Sequence, residues 1–176
     1  MRRLILLRHA KTEKDAASGK DRDRRLDERG KADAPEIGAW LAANDYLPDI
    51  ALVSTAARTQ QTWDHVSLYM PHCKVKYLDD LYLATTEHVL EIIHGAQRDD
   101  PAALMVVAHN PGLHELAWNL TGKSNAADRR ALGENLPTAA VAVLDFQTGW
   151  PDVAFRGGTL KVFMSPKRLR EESDAG

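Results

Sequence analysis

Three short polar groups in this chain each follow directly on an apolar, strand-like run. Arg8-His9 follows Leu4–Leu7, Ser54-Thr55-Ala56-Ala57-Arg58 follows Ile50–Val53, and His109-Asn110-Pro111-Gly112 follows Leu104–Val107 with one alanine between. In open α/β sheets, ligands gather at the carboxyl ends of strands, so groups this far apart in sequence can meet along one sheet edge. Two guanidinium groups and two imidazoles meeting there form a cationic pocket suited to a phosphoryl group: arginine forks match its oxygens, and an unprotonated imidazole is a nucleophile. Singly, each piece has a structural alternative. A histidine after a strand can simply bond a neighbouring carbonyl, Arg58 can be a surface ion-pair partner, and Asn110-Pro111-Gly112 can be a capped turn. The conjunction is what points to chemistry.

The elements that must position these groups are legible from periodicity. Strand-like runs recur at Leu4–Leu7, Ile50–Val53, Leu104–Val107 and Val141–Leu144, with weaker ones at Lys74–Leu78 and Thr159–Phe163. Near-continuous hydrophobicity in the stronger runs predicts strands buried on both faces. Helical spacing predicts helices over Ala32–Ala43, Thr59–Tyr69, Thr86–His94 and Pro111–Leu120. Pro35 implies that the first of these begins or bends there, and Asn110 is a candidate N-cap. Alternation of strand and helix predicts an α/β fold, a three-layer α/β/α sandwich around a mainly parallel sheet. Ser124–Pro137 reads as a long loop, and the polar closing stretch Pro166–Gly176 as a fraying tail. The expected organisation is a single catalytic domain over 1–166 with a polar tail over 167–176.

Composition narrows the partners. The chain has 176 residues and a formal net charge of −2, which gives no global attraction to nucleic acid or anionic lipid, so anion binding must be local. The longest apolar stretch, Ala102–Ala108, is seven residues, far short of the ~20 of a membrane span. Arg8 ends the N-terminal apolar run after four residues, too few for a secretory signal, so the expected location is cytoplasmic. One cysteine, Cys73, permits neither an internal disulfide nor a cysteine-based zinc site. His114 lies five residues after His109, off the i, i+4 spacing of a zinc pair, and no metal site or cofactor is expected. His65, His72, His88 and His94 read as surface residues, and Trp40, Trp63, Trp118 and Trp150 as packing residues.

The same motifs resemble a known family. Leu7-Arg8-His9-Ala10-Lys11 is similar to the Arg-His-Gly/Ala motif of the histidine phosphatase superfamily, the phosphoglycerate-mutase-like group. Ser54 to Thr62 is similar to its second motif, and Val107 to Gly112 to its second catalytic histidine. Asp23-Arg24-Arg25-Leu26-Asp27-Glu28-Arg29-Gly30 matches the loop before the first long helix in SixA-like phosphohistidine phosphatases. The resemblance runs from residue 2 to about residue 166. It implies a phosphoglycerate-mutase-like fold and a metal-independent phosphatase in which His9 takes the phosphoryl group. Arg8 and Arg58 then clamp the phosphoryl oxygens, His109 donates a hydrogen bond to them, and water hydrolyses phospho-His9.

Many members use a glutamate after the third strand as general acid. This chain reads Leu78-Asp79-Asp80-Leu81-Tyr82 there, so Asp80 is the positional match and Asp79 the second, the alternative being that both are loop aspartates. Without the glutamate, a substrate with a good leaving group such as phosphohistidine fits better than an alkyl phosphate. Thr12 and Asn110 are candidate substrate-binding residues. The run Lys20–Lys31 reads as an internally paired loop, or as a rim for an acidic partner. The expected partner is a phosphorylated substrate, with a phosphohistidine-bearing protein as the family-implied choice. A small-molecule phosphomonoesterase and a non-catalytic phospho-ligand binding module are the rivals.

Overall fold

Residues 1–175 are described in the computed structural model. Strands β1 (Arg2–Arg8), β2 (Ile50–Ser54), β3 (Lys74–Leu78), β4 (Ala103–Ala108), β5 (Thr121–Lys123), β6 (Val141–Phe146) and β7 (Gly158–Met164) form one sheet in the order β3-β2-β4-β1-β6-β7-β5. Only β6 runs against the others; the β1–β4, β2–β4, β2–β3 and β5–β7 pairs are parallel. Successive side chains of a strand point to opposite faces, and here both faces are apolar. Leu4, Leu6, Leu52, Leu104 and Val106 join one core, and Ile5, Leu7, Val53, Met105 and Val107 join the other.

Helices α1 (Glu28–Ala43), α2 (Ala57–Ser67) and α6 (Pro166–Ala175) cover the second face through Ile37, Leu41, Trp63, Val66 and Leu169. Helices α3 (Thr86–His94), α4 (Gly112–Leu120) and α5 (Ala126–Glu134) cover the first through Val89, Ile93, Leu113, Leu116 and Leu132. This is the expected three-layer sandwich. Each such side chain fully withdrawn from water contributes roughly 1.5–3 kcal/mol, and that burial fixes the strand ends that carry the polar groups.

Three local expectations are corrected, and one short strand lies outside them. Helix α1 starts at Glu28 rather than Ala32, because the Asp27 carboxylate caps it by accepting from Gly30 N at 2.8 Å; the helix then runs through Pro35. Ser124–Pro137 is not a loop throughout: Asn125 caps α5, accepting from Asp128 N at 2.8 Å, and Leu132 is its buried anchor. The three-residue edge strand β5 is too short to leave a periodic signal. The closing stretch does not fray over its length. Leu169 packs on the core, Arg170 Nη1 lies 2.9 Å from buried Asp33, and Arg168 Nη2 lies 2.9 Å from Asp128. Sequence periodicity could not supply these pairings, because the partners are distant in the chain. Among the described residues, no helix is long and apolar enough to cross a membrane.

Candidate active site

Parallel register brings three strand ends to one edge. Arg8 pairs with Ala108 across β1–β4, and Val53 pairs with Val107 across β2–β4, so His9, His109 and Ser54 stand side by side. The backbone of His9 is locked: its N–H donates to Ala108 O at 3.2 Å and its carbonyl accepts from Ala139 N at 3.0 Å. Ala10 N donates to Thr62 Oγ1 at 2.9 Å, and that hydroxyl donates to Arg58 O at 2.7 Å, tying the first motif to α2. Gly112 is required where α4 starts, since a Cβ there would lie 2.2 Å from Ala84 O.

His9 Nδ1 lies 2.8 Å from the Ala10 carbonyl. A carbonyl only accepts, so Nδ1 carries the proton and the Nε2 lone pair is free for attack. His109 Nε2 lies 2.8 Å from Ser54 Oγ; when the hydroxyl donates, the His109 proton sits on Nδ1. The two rings are 5.4 Å apart between centroids and tilted by 52°. Both pKa values are lowered to about 3. For His9 the main cause is burial, with Arg8, Arg58 and Arg24 adding to it and the Ala10 bond opposing; for His109 it is burial, then His9 and Arg58. Exclusion from water, more than the neighbouring arginines, therefore keeps His9 neutral.

The cleft these residues line measures about 470 Å³, within the range of small-ligand sites, and its wall includes Arg8, His9, Thr12, Arg58, His109 and Asn110. Arg8 Nε, Arg58 Nε and His109 Nδ1 are buried and have no hydrogen-bond partner among the described residues. Buried donors are nearly always paired, so three of them around one cleft suit an oxyanion.

Thr12 and Asn110 are in the wall, but their side chains are already engaged. Thr12 Oγ1 accepts from Arg24 Nη1 at 3.0 Å, and Asn110 Nδ2 donates to Leu136 O at 2.8 Å. Asn110 is also not the N-cap of α4, which starts at Gly112, although its Oδ1 accepts from His114 N at 3.2 Å. Asp80 stands exposed on the 3₁₀ turn Asp79–Leu81, outside the cleft wall. Asp79 is turned to the rim, accepting from Thr55 Oγ1 at 2.6 Å and Arg22 Nη2 at 2.5 Å.

The carboxylate in the wall is Asp21, one of several charges in the Lys20–Lys31 run and not singled out by its sequence context. Its Oδ2 accepts from Tyr82 OH at 2.6 Å and from Arg58 Nη2 at 3.0 Å, and its Oδ1 accepts from Arg24 Nε at 3.0 Å. Its carbonyl accepts from Arg58 Nη1 at 2.9 Å. The Tyr82 bond and then the arginines hold its pKa down at about 2, so the group is ionised. Tyr82 stands edge-on to His109 at 5.5 Å and bridges the two walls of the cleft. The Lys20–Lys31 loop is internally paired through Arg24–Asp21 and Lys31–Glu28, yet it also forms this wall.

The lowered histidine pKa values carry a stability signature. The unfolded chain takes up protons on both rings near pH 6.5, whereas the folded chain refuses them until about pH 3. Stability present at neutral pH is therefore lost as pH falls from about 6.5 toward 3. The Asp21 contribution holds until pH falls below its ordinary 3.8, so it leaves the upper part of that window untouched. The urea midpoint is expected to drop steadily between pH 7 and pH 4.5, and the double variant His9→Gln/His109→Gln to flatten that slope. An equal slope in the variant would place the titrating groups elsewhere.

Comparison with known proteins completes the picture of the site. The model of the histidine phosphatase superfamily (branch 1) matches residues 4–82. The chain superposes with a TM-score of 0.80 on a candidate phosphohistidine phosphatase SixA from Agrobacterium tumefaciens, at 32% identity over 94% of this chain and 98% of that one. A second candidate SixA, from Nakamurella multipartitia, gives 0.81 at 29% identity over 94% and 96%. An uncharacterized protein of Mycobacterium tuberculosis is 36% identical over 149 residues, 84% of this chain and 91% of its own length.

Proposed function

The chain belongs to the histidine phosphatase superfamily and is a hydrolase acting on phosphoryl bonds, and from that premise we propose that it removes a phosphoryl group from a phosphohistidine-bearing protein by way of phospho-His9. The observation that carries this reading is the set of partnerless donors, Arg8 Nε, Arg58 Nε and His109 Nδ1, buried around an imidazole whose free nitrogen is Nε2. Similarity to the SixA candidates supports the substrate class.

In the first step Nε2 of His9 attacks phosphorus. The substrate P–N bond breaks, its electron pair returning to a substrate imidazole already protonated on its other nitrogen, so the ring departs neutral and takes no proton from a side chain. That removes the need for a glutamate after β3 and for Asp80 in that role. The developing charge on the three equatorial oxygens meets preorganised donors, the main source of catalysis in phosphoryl transfer.

In the second step water attacks phosphorus, the P–Nε2 bond breaks, and the water proton passes to Asp21. Asp21 is ionised in the resting protein because Arg58 and Tyr82 donate to it. When phosphoryl oxygens take over the Arg58 donors, the carboxylate loses partners, gains a negative neighbour and becomes a better base.

The test is trapping with radiolabelled phosphoramidate, followed by mapping of the modification. An acid-labile label on His9 is expected. In Asp21→Asn the labelled protein is expected to accumulate, with hydrolysis slowed about 10²-fold, the lower end for a lost proton acceptor. A labelled Asp21→Asn that turns over as fast as the wild type removes Asp21 from the mechanism, while absence of label from His9 in both proteins removes the covalent route. Equal turnover of a phosphohistidine peptide and an alkyl phosphate would count against the proposed substrate class.

A further inference from the structure

A second cleft lies at the opposite end of the sheet, where β5 and β7 begin at Thr121 and Gly158. It measures about 430 Å³ and is formed by Trp118 and Asn119 at the end of α4, Thr121, Arg129 of α5, and Phe155 and Arg156 of the β6–β7 connection. It shares no residue with the His9 cleft.

Three features separate it from ordinary surface. Trp118 and Phe155 keep 41% and 47% of their surface exposed, against 3% for Trp63 and 0% for Trp150, so the expectation that the tryptophans serve as packing residues fails at Trp118. The Trp118 ring is nonetheless held: a Cβ added at Gly133 would lie 3.1 Å from it, and the Arg129 guanidinium sits 5.2 Å from its centroid. The cleft wall carries two arginines and no acid, and neither Arg129 nor Arg156 has a side-chain hydrogen bond or ion pair among the described residues. Finally, Arg156 adopts a left-handed backbone with φ of 63°, a conformation unfavourable for a residue with a Cβ. It is pinned there by its N–H, which donates to Asn119 O at 2.8 Å, and by its carbonyl, which would lie 2.0 Å from a Cβ at Gly122. Backbone held in a costly state clusters at binding sites.

We propose that this cleft is a binding site for a nucleoside phosphate, whose base stacks between Trp118 and Phe155 and whose phosphate is held by Arg129 and Arg156. Exposed aromatic faces take a flat ring, unpaired guanidinium forks take phosphate oxygens, and the volume falls in the range of small-ligand clefts. An extended acidic peptide fits less well, because the wall is a compact hollow rather than a groove along a strand edge.

The test titrates ADP against the full chain and reads tryptophan fluorescence. Saturable quenching is expected, insensitive to inorganic phosphate sufficient to fill the His9 cleft. Arg129→Ala and Arg156→Gly are expected to weaken binding at least about tenfold, and Trp118→Phe to abolish the quenching signal while calorimetry still detects ADP. Arg156→Gly is the discriminating variant. Glycine accepts the left-handed backbone, so thermal stability is expected to hold or rise while binding is lost. Hydrolysis of an aryl phosphate is expected to be unchanged in all three. No saturation, binding that survives Arg156→Gly, competition by inorganic phosphate, or tighter binding of an acidic peptide than of ADP would each overturn the proposal.

Discussion

In His9→Ala, aryl phosphate hydrolysis is expected to fall by about 10⁴-fold or more, the scale on which removing a nucleophile collapses a covalent mechanism. The size of the effect follows from the geometry. His109 is the other ring in the cleft, but Ser54 Oγ occupies its Nε2 at 2.8 Å, so its Nδ1 is the remaining edge. His9 alone has Nδ1 committed to a carbonyl and Nε2 free. His109 therefore cannot take over, and no label should appear on it in the variant. Folding should be preserved, because the strand bonds of position 9 are made by backbone atoms, at 3.2 Å to Ala108 and 3.0 Å from Ala139. Circular dichroism and the urea midpoint check this. Added imidazole is expected to recover part of the activity by attacking phosphorus from the space the ring vacated. A folded His9→Ala protein with wild-type turnover would show that the phosphoryl group never visits His9.

The parts of this molecule that could be read from sequence are those whose cause is local. The strands of the two cores announce themselves because both faces are apolar, so Leu104–Val107 and Val141–Leu144 are nearly continuous runs. The residues brought to the cleft, Arg8, His9, Arg58 and His109, were visible because each directly follows such a run or opens the next helix. The cap residues Asp27 and Asn125 carry the familiar capping types, but weak periodicity after them hid the first turn of α1 and all of α5. Asp21 was hidden for a different reason. Its importance lies in partners 37 and 61 residues away, Arg58 and Tyr82, and within its own segment it is one acid among several. Asp80 misled because position relative to β3 was the available guide, whereas the turn at Asp79–Leu81 points it to solvent. The wall of the cleft is set by tertiary contact between segments distant in the chain.

That same contact makes the two arginines unequal, and Arg58→Ala should expose the difference. Losing one preorganised donor to the transition state costs about 10²–10³ in rate, and both Arg8→Ala and Arg58→Ala are expected to lose at least this. Arg58 does more than donate: its Nη2 lies 3.0 Å from Asp21 Oδ2 and its Nη1 2.9 Å from Asp21 O. Without Arg58, the Asp21 carboxylate keeps its charge beside the phosphoryl position with one neutralising partner gone, so affinity for inorganic phosphate should fall further than in Arg8→Ala. Among the described residues Arg8 has no acidic partner; its Nη1 donates to Leu136 O at 3.2 Å. Adding Asp21→Asn should then recover a larger share of the phosphate affinity lost in Arg58→Ala than of that lost in Arg8→Ala, although turnover stays low in both because the proton acceptor is lost. Inhibition constants for phosphate across this double-mutant cycle measure the coupling directly. Arg58→Lys should rescue poorly, since an ammonium cannot span the carbonyl and the carboxylate of Asp21 while also presenting a fork to the substrate. Additive effects of Asp21 and Arg58 on phosphate inhibition would mean that the carboxylate and the guanidinium act on the anion independently, and the handover of Arg58 from Asp21 to substrate would have to be abandoned.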